Sequence, residues 1–371
     1  MIYLDNAATS WPKPAAVAQA VARAIREPLG NPGRTHHQSA LDGAGLVAAC
    51  REALAQLIGA RNPLRICFTA NTTDALHLAI KGALHPGDHA ICSAMEHNSV
   101  WRPLTALAAR GVELSIAEAD ATGFVPPDNV RRLMRPNTRL VVVQHASNVT
   151  GTIQPVAEIG ALLRAHAALF LVDAAQSAGC LPIDVESMNV DLLAFPGHKG
   201  LLGPQGTGAL YVREGGTGSE SLRATQPDFY PDRLESGTLN VPGIAGLGAA
   251  VQYLLARGVC EVARHEAEMT QHLLRSLATI PGVSLYGPPV EVPRAPVLSM
   301  NLAGWDCTEL AVELENRVGL ACRPGIHCAG LAHRSLGTAQ TGTLRLSPGP
   351  FTTEQEIAAV LQAIADVAHK R

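Results

Sequence analysis

Three groups of residues in this chain combine types that could hold and use one ligand. Gly197-His198-Lys199-Gly200 follows the apolar run Asp191–Pro196. A lysine set between glycines at the end of a buried strand can be desolvated to a pKa of ~7–8 and then serve as imine former and base. A solvated surface lysine is the ordinary alternative, and the apolar strand before it argues against that. Asp173 ends the run LFLVD. A carboxylate after four apolar residues must be paired or strongly solvated, and a protonated aromatic nitrogen would suit it. Thr69-Ala70-Asn71-Thr72-Thr73 lies between an expected strand and an expected helix. Small hydroxyl and amide residues there offer backbone N–H groups and side-chain donors to a phosphate, with plain N-capping as the alternative. Imine-forming lysine, ring partner and phosphate seat together describe a pyridoxal phosphate (PLP) pocket. The run Gly203–Gly208 has the wrong glycine order for a nicotinamide fingerprint, and no Walker loop is present.

The chain has eight cysteines, at 50, 67, 92, 180, 260, 307, 322 and 328. Cys67, Cys92 and Cys322 lie in apolar surroundings that favour inert, buried thiols. Cys328 instead sits in Pro324-Gly325-Ile326-His327-Cys328-Ala329-Gly330, with Arg323 and His327 beside it. Exposure and positive neighbours make a thiol a nucleophile. A metal site built from Cys322, His327, Cys328 and His333 would have irregular spacing for zinc, so no metal is expected.

These residues need elements to position them. Short β-branched runs alternate with helical segments: Arg65–Thr69, His89–Ser93, Arg139–Gln144, Leu169–Ala174, Asp191–Pro196 and Gly208–Val212 read as strands. Helices are expected after Asn71, around Val100–Arg110 and at Pro155–His166. The fold is therefore α/β, with a mainly parallel sheet covered on both faces and function gathered at the carboxyl ends of its strands. Residues 214–245 form a long polar connection of the kind that bridges subunits. A helical stretch near 245–280 leads to a second α+β set with strands at Val297–Leu302, Gly319–Arg323 and Thr343–Leu346. Ile357, Val360, Leu361, Ile364 and Val367 make one apolar stripe on the last helix. Thr353 with Glu356 reads as its capping box, and Lys370 and Arg371 suit its C-terminal dipole. A large domain at 15–250 and a smaller one from the C-terminal third follow.

Composition narrows the function. Hydrophobic residues are 47% and charged residues 16%, which excludes a disordered chain. The net charge is -3, without a basic block, so nucleic acid is not an expected partner. No apolar run approaches ~20 residues and no signal is visible, so a cytoplasmic protein off the membrane is expected.

In order along the chain, YLDNAATS, FTANTTDALHLAI, EHNS, HASNVTGT, LVDAAQS, GHKGLLGPQGTG, RLESGTLN, RPGIHCAG and LRLSPG resemble the class V aminotransferase family, in particular its SufS-like cysteine desulfurases and selenocysteine lyases. The resemblance implies a PLP-dependent transferase of fold type I. Its large domain, 15–250, carries a seven-stranded sheet. Residues 1–14 and 251–371 form a smaller α+β domain. It implies that Lys199 forms the imine with PLP, Asp173 pairs with the ring nitrogen and Gln176 meets the phenolic oxygen. His97 stacks on the ring, and Asn148 lies against cofactor and substrate. Asn71, Thr72, Thr73 and His198 match the phosphate region, and Thr238 matches a phosphate contact given to a neighbouring subunit. Arg345 matches the grip on the substrate carboxylate, with Asn6, Ala7 and Ala8 lining that pocket. His37 matches another pocket histidine, with His36 the alternative. Family members often carry a hydroxyl residue where Pro196 stands, and proline can donate nothing.

The activity so implied is desulfuration of L-cysteine to L-alanine, with Lys199 taking the α-proton and sulfur left as a persulfide on Cys328. That is sulfur mobilisation of the kind used in iron–sulfur cluster assembly. A homodimer with shared active sites and a separate sulfur-acceptor protein are implied partners. L-selenocysteine is the alternative substrate, and a lyase or aminotransferase in which Cys328 is incidental is the alternative class. A scaffold without turnover is a third reading, motivated by Pro196 alone.

Overall fold

The computed structural model describes residues 1–32, 36–215 and 229–369. Lys370, Arg371 and part of the long polar connection fall outside them. The first elements are β1 (Ile2–Tyr3), α1 (Ala15–Arg26), α2 (Gln38–Ile58), β2 (Ile66–Thr69) and α3 (Thr72–Ala83). Then come β3 (His89–Ser93), α4 (Asn98–Ala108), β4 (Glu113–Ala117), α5 (Pro127–Arg131) and β5 (Thr138–Gln144). α6 (Val156–Leu163), β6 (Leu169–Asp173), β7 (Leu192–Pro196) and β8 (Gly208–Val212) follow. α7 (Val241–Arg257) and α8 (Val259–Leu277) lead to β9 (Val283–Tyr286), β10 (Leu298–Leu302), α9 (Cys307–Val318), β11 (Leu320–Ala321) and β12 (Arg323–Gly325). The chain closes with α10 (Gly330–Ser335), β13 (Thr343–Leu346) and α11 (Glu354–Ala368).

A seven-stranded sheet runs in the order β2-β8-β7-β6-β5-β3-β4. Only β8 runs antiparallel to its two neighbours; the other pairs are parallel. Both faces of this sheet are covered, so its central strands are apolar throughout rather than alternating. Phe170, Val172, Leu193 and Phe195 pack towards α2, α6 and α7 with Leu54, Ile159 and Leu247. Leu169, Leu171, Leu192 and Ala194 face the other way, onto Leu76, Ile80 and Leu104 of α3 and α4. The strands end in line, and their carboxyl-end loops carry Asn71–Thr73, His97, Asn148, Asp173 and Lys199 at one rim.

A second sheet, β12-β13-β10-β9, is antiparallel and packs on α8, α9 and α11 around Met300, Leu310, Leu344 and Ile364. The capping box of Thr353 and Glu356 is formed as expected. β1 pairs in parallel with β11, and Asp5 bridges to Ser347, so the N-terminal segment lies against the later part of the chain.

Two expectations are corrected. The helical stretch near 245–280 is two helices bent by 83° at Gly258, whose φ of +89° stops the first. The strand at Gly319–Arg323 is instead two short strands in different sheets, because Gly319 at φ +66° first ends α9 as a left-handed cap. β4 and β9, with alternating or mixed burial, had not been singled out. Among the described residues no single helix is long and apolar enough to cross a membrane.

Candidate active site

The loop after β7 is built for close packing. A side chain at Gly197 would collide with Thr207, and one at Gly200 would meet the Ala178 carbonyl and Cys180 Sγ, both at 2.5 Å. The glycines on either side of His198-Lys199 are there because neighbouring side chains, and at Gly200 also the Ala178 carbonyl, leave no room. The His198 carbonyl, one peptide before the lysine, accepts Ser10 N–H at 3.0 Å, with the Thr9 and Ser10 hydroxyls at 3.2 Å and Lys13 Nζ at 3.4 Å. The N-terminal segment thus clamps the peptide that aims Lys199. Burial pulls the Lys199 ammonium down to about 8; Asp173 opposes this, and Arg345 and Arg323 add to it. A lysine so tuned can exchange a proton near neutrality.

Asp173 is buried at the tip of β6 and accepts the Ala175 N–H at 2.9 Å. Burial raises its carboxyl to about 6, with that hydrogen bond and the Lys199 charge resisting. His97 caps α4 through Nδ1, which accepts Ser99 N–H at 3.0 Å, so this hydrogen bond assigns the proton to Nε2. Burial and then the nearby cations Lys199, Arg323, Arg345 and Arg102 push it down to about 4, leaving a neutral ring. His198 is likewise neutral, lowered to about 4 by burial and then by Lys199 and Lys13.

Asn71 proves to be the N-cap of α3, its side chain accepting Asp74 N–H at 2.9 Å. For this residue the plain capping reading holds. Thr73 Oγ1 and Ser99 Oγ are 2.7 Å apart, which ties the starts of α3 and α4 together. One cavity brings Asn71, Thr72, Thr73, His97, Asn148, Asp173, Gln176, His198 and Lys199 into a common lining. Gln176 donates to the Ala7 carbonyl at 3.0 Å, which joins this lining to the N-terminal segment. Two atoms on this lining, Asn148 Oδ1 and His198 Nδ1, are buried with no hydrogen-bond partner. Buried polar atoms are almost always satisfied, so their state calls for a ligand. An aromatic phosphate with an aldehyde fits the donor set: hydroxyls and a helix N-terminus at one end, a carboxylate behind and an amine in front.

Arg345 is only 1% exposed. It donates to Asp5 Oδ1 at 2.9 Å and to the Asn148 carbonyl at 3.0 Å, while its Nε has no partner. Cys328 is exposed on the loop between β12 and α10. His327 and Cys328 adopt φ of 48° and 58°, left-handed values that side chains resist at about 1–3 kcal/mol each. The turn is held from three sides. The Cys328 carbonyl accepts Asn98 N–H at 2.8 Å, the His327 carbonyl accepts Asn148 Nδ2 at 2.8 Å, and His327 Nε2 lies 3.0 Å from Thr343 Oγ1. Arg323 Nη2 stands 3.6 Å from Cys328 Sγ. Cys50, Cys67 and Cys92 are buried, and burial raises each thiol.

Of the expected residues, Cys328, Arg345, Asn6, Ala7, His37 and Thr238 are not on this lining; Asn6 and Ala7 line a small adjoining chamber with Lys199 and Gln176. His37 is exposed and caps α2, its Nδ1 accepting Ala40 N–H at 3.2 Å; His36 is exposed beside it. Thr238 is exposed on another surface cavity with Leu234 and Asn240. The structure adds Ser99 and Gln144 to the lining, and behind His97 a buried Glu96, which the sequence reading had not singled out. Glu96 Oε1 accepts the Ser93 hydroxyl at 2.6 Å and Gln144 N–H at 2.9 Å, and burial raises the acid to about 8. The signal available for Glu96 was its place in EHNS, next to His97.

Residues 2–360 match the family model described as aminotransferase class-V. A probable cysteine desulfurase of Methanothermobacter thermautotrophicus is 35% identical, covering 99% of this chain and 94% of that protein. A cysteine desulfurase of Cronobacter sakazakii is 34% identical over 96% of this chain and 91% of its own. Among solved structures, the apo cysteine desulfurase of Thermococcus onnurineus superposes with a TM-score of 0.92 at 31% identity, covering 100% of this chain and 95% of that one. A cysteine desulfurase from Escherichia coli gives 0.88 at 29%, covering 99% and 94%.

Proposed function

The chain belongs to the aminotransferase class-V family, and from that premise we propose that it is a PLP-dependent cysteine desulfurase that converts L-cysteine to L-alanine and leaves the sulfur on Cys328. The observation that carries this reading is that Lys199, desolvated in the cleft, and an exposed Cys328 both lie within the field of Arg345, with the Arg323 guanidinium 3.6 Å from the Cys328 sulfur. The curated relatives named above are cysteine desulfurases, so the selenocysteine and incidental-cysteine alternatives are not favoured.

PLP, when bound, supplies an aldehyde for imine formation and a ring that can store an electron pair. Thr72, Thr73, the α3 N-terminus and His198 would hold its phosphate, Asp173 its ring nitrogen, Gln176 its phenolic oxygen and His97 its face. Pro196 contributes no donor, so the phosphate relies on the other groups. Arg345 keeps its free Nε for the substrate carboxylate, assisted by Asn148 and the Asn6–Ala7 segment. Lys199 holds the proton taken from the α-carbon and returns it to the product side. Cys328 Sγ attacks the substrate sulfur, the carbon–sulfur bond breaks, and its electron pair stays on the carbon side until a proton completes alanine. Arg323 places positive charge where the attacking sulfur is negative.

The residue roles extend to the assembly. Glu235 accepts Phe68 N–H and Arg51 Nη2, each at 2.6 Å, from a buried position. It pins the stretch that carries exposed Thr238, which supports a two-fold dimer in which Thr238 reaches the partner subunit's phosphate site. We further divide the chain into a cofactor domain at 15–250 and a smaller domain of 1–14 with 251–371. An acceptor protein would bring its own thiol to Cys328, whose strained turn limits reach. All eight cysteines are free, which suits a reducing cytoplasm. The test is direct: purified protein supplied with PLP, L-cysteine and a thiol reductant should release alanine and sulfide in equal amounts. 3-Mercaptopyruvate with its sulfur retained would assign an aminotransferase instead, and pyruvate with ammonia and sulfide a β-eliminating lyase.

A further inference from the structure

Beside the cofactor cleft lies a second chamber of ≈ 20 Å³, which Asn6 and Ala7 of the N-terminal segment also line. Lys199 and Gln176 line both spaces. Its lining also carries Glu266 from α8 and Cys180. Glu266 is 3% exposed, and its Oε2 has no hydrogen-bond partner. The Cys180 thiol donates to the same carboxyl. Burying a carboxyl group with one oxygen unsatisfied carries a desolvation penalty. The chamber has room for one water, which needs about 10–15 Å³ and polar partners, and a single water would satisfy that oxygen.

We propose that Glu266 is a proton store for Lys199, linked to its nitrogen through one water held in this chamber. Glu266 gives its O–H proton to the water while the water gives one of its own to the Lys199 nitrogen. A carboxylate and a cationic nitrogen result, and the reverse transfer restores the acid. No bond to carbon or sulfur changes and no electrons pass between groups, so the exchange balances without a co-reactant. The two ends are matched for it, since burial brings Lys199 down to about 8 and Glu266 up to about 8. Lys199 is faced by Asp173 from β6, Arg323 and Arg345 from β12 and β13, and Asp5 from the N-terminal segment. Its charge is also felt by His97, His198 and Cys180. Glu266 is faced by Cys180 and Arg257. Glu266 is not on the lining of the cofactor cleft, and it acts through Lys199.

The inference rests on Lys199 as the cofactor lysine, and its test reads proton affinity rather than turnover. The full chain loaded with PLP is titrated by visible absorption across pH. Glu266→Gln keeps the shape and removes the titrating group, so an ionised Glu266 no longer favours the proton on Lys199. The absorption midpoint should fall by about 0.5 pH unit or more, a threefold change in the dissociation constant. Cys180→Ala widens the chamber but keeps the carboxyl, and the midpoint should stay. A midpoint unmoved by Glu266→Gln, or moved equally by Cys180→Ala, overturns the proposal while leaving the reading of Lys199 intact. No visible band in the loaded parent overturns that reading, and this one with it. Should Glu266→Gln fail to fold, a crystal structure of the unaltered protein decides. An ordered water bonded to Glu266 Oε2 supports the link, and an empty chamber overturns it.

Discussion

Lys199 and Cys328 must meet at one substrate, yet their surroundings are opposites. Lys199 stands at the tip of a fully buried strand, between glycines that the packing leaves no space to replace. Cys328 stands exposed on a short left-handed turn, held by hydrogen bonds from loops of the large sheet. A base is tuned by removing water from its charged form, so it belongs in the rigid rim of the large sheet. A nucleophile that hands sulfur onward needs access. Its turn can be strained because Asn98, Asn148 and Thr343 hold it from outside. The difference teaches that burial does the tuning on one wall of the cleft and tethering does it on the other.

Removing Lys199 breaks the buried wall alone and should have the largest effect. Lys199→Ala should lose the visible absorption of the bound cofactor and slow alanine formation by at least ~10²–10⁴-fold, the range for a missing general base. Cys328 in that variant should still react with a thiol-alkylating reagent at the parental rate. Coupled loss of both properties would mean that the two walls are not independent.

Arg345 is within electrostatic reach of both Lys199 and Cys328, on the strand that pairs with the one carrying Arg323. Arg345→Lys keeps the charge but gives up the fork that serves Asp5, Asn148 and a substrate carboxylate at once. We expect KM for cysteine to rise about ten- to a hundredfold, as for a lost charged hydrogen bond, with a smaller change in kcat. Unchanged KM would remove Arg345 from substrate binding.

The smallest effect concerns stability and sharpens the claim about burial. Glu96 is raised to about 8 in the fold, above its ordinary 4.5. Its contribution is therefore fully present below about pH 4.5 and is lost as pH rises through about 8, where the buried acid must ionise. Glu96→Gln removes that loss. The unfolding free energy of the parent should drop more steeply than that of Glu96→Gln between pH 6 and pH 9, by a few kcal/mol at most. Parallel curves would show that Glu96 is not held protonated.

Much of the buried wall was readable from the chain itself. Continuous apolar runs ending in Asp173 and in Gly197-His198-Lys199 mark strands and their functional tips without any structure, because a charge has few reasons to end such a run. Glu96 and Glu266 were not readable in the same way. Glu266 lies in an ordinary amphipathic helix sequence, and only its packing shows that it faces a chamber rather than solvent. His37 carries a role its motif did not signal: the backbone geometry there makes it the N-cap of α2. The break at Gly258 was also hidden, since the apolar period continues on both sides and one glycine in a helical pattern is often tolerated.

The central claim is that sulfur passes to Cys328, and mass spectrometry of that residue tests it most directly. PLP-loaded protein is given one equivalent of L-cysteine without reductant, then digested, beside a Cys328→Ser control. The account predicts one added sulfur atom on the Cys328 peptide, one alanine formed per site, and neither product in Cys328→Ser despite retained cofactor colour. Alanine formed at the parental rate by Cys328→Ser, or an unmodified Cys328 in a protein that has turned over, would contradict it.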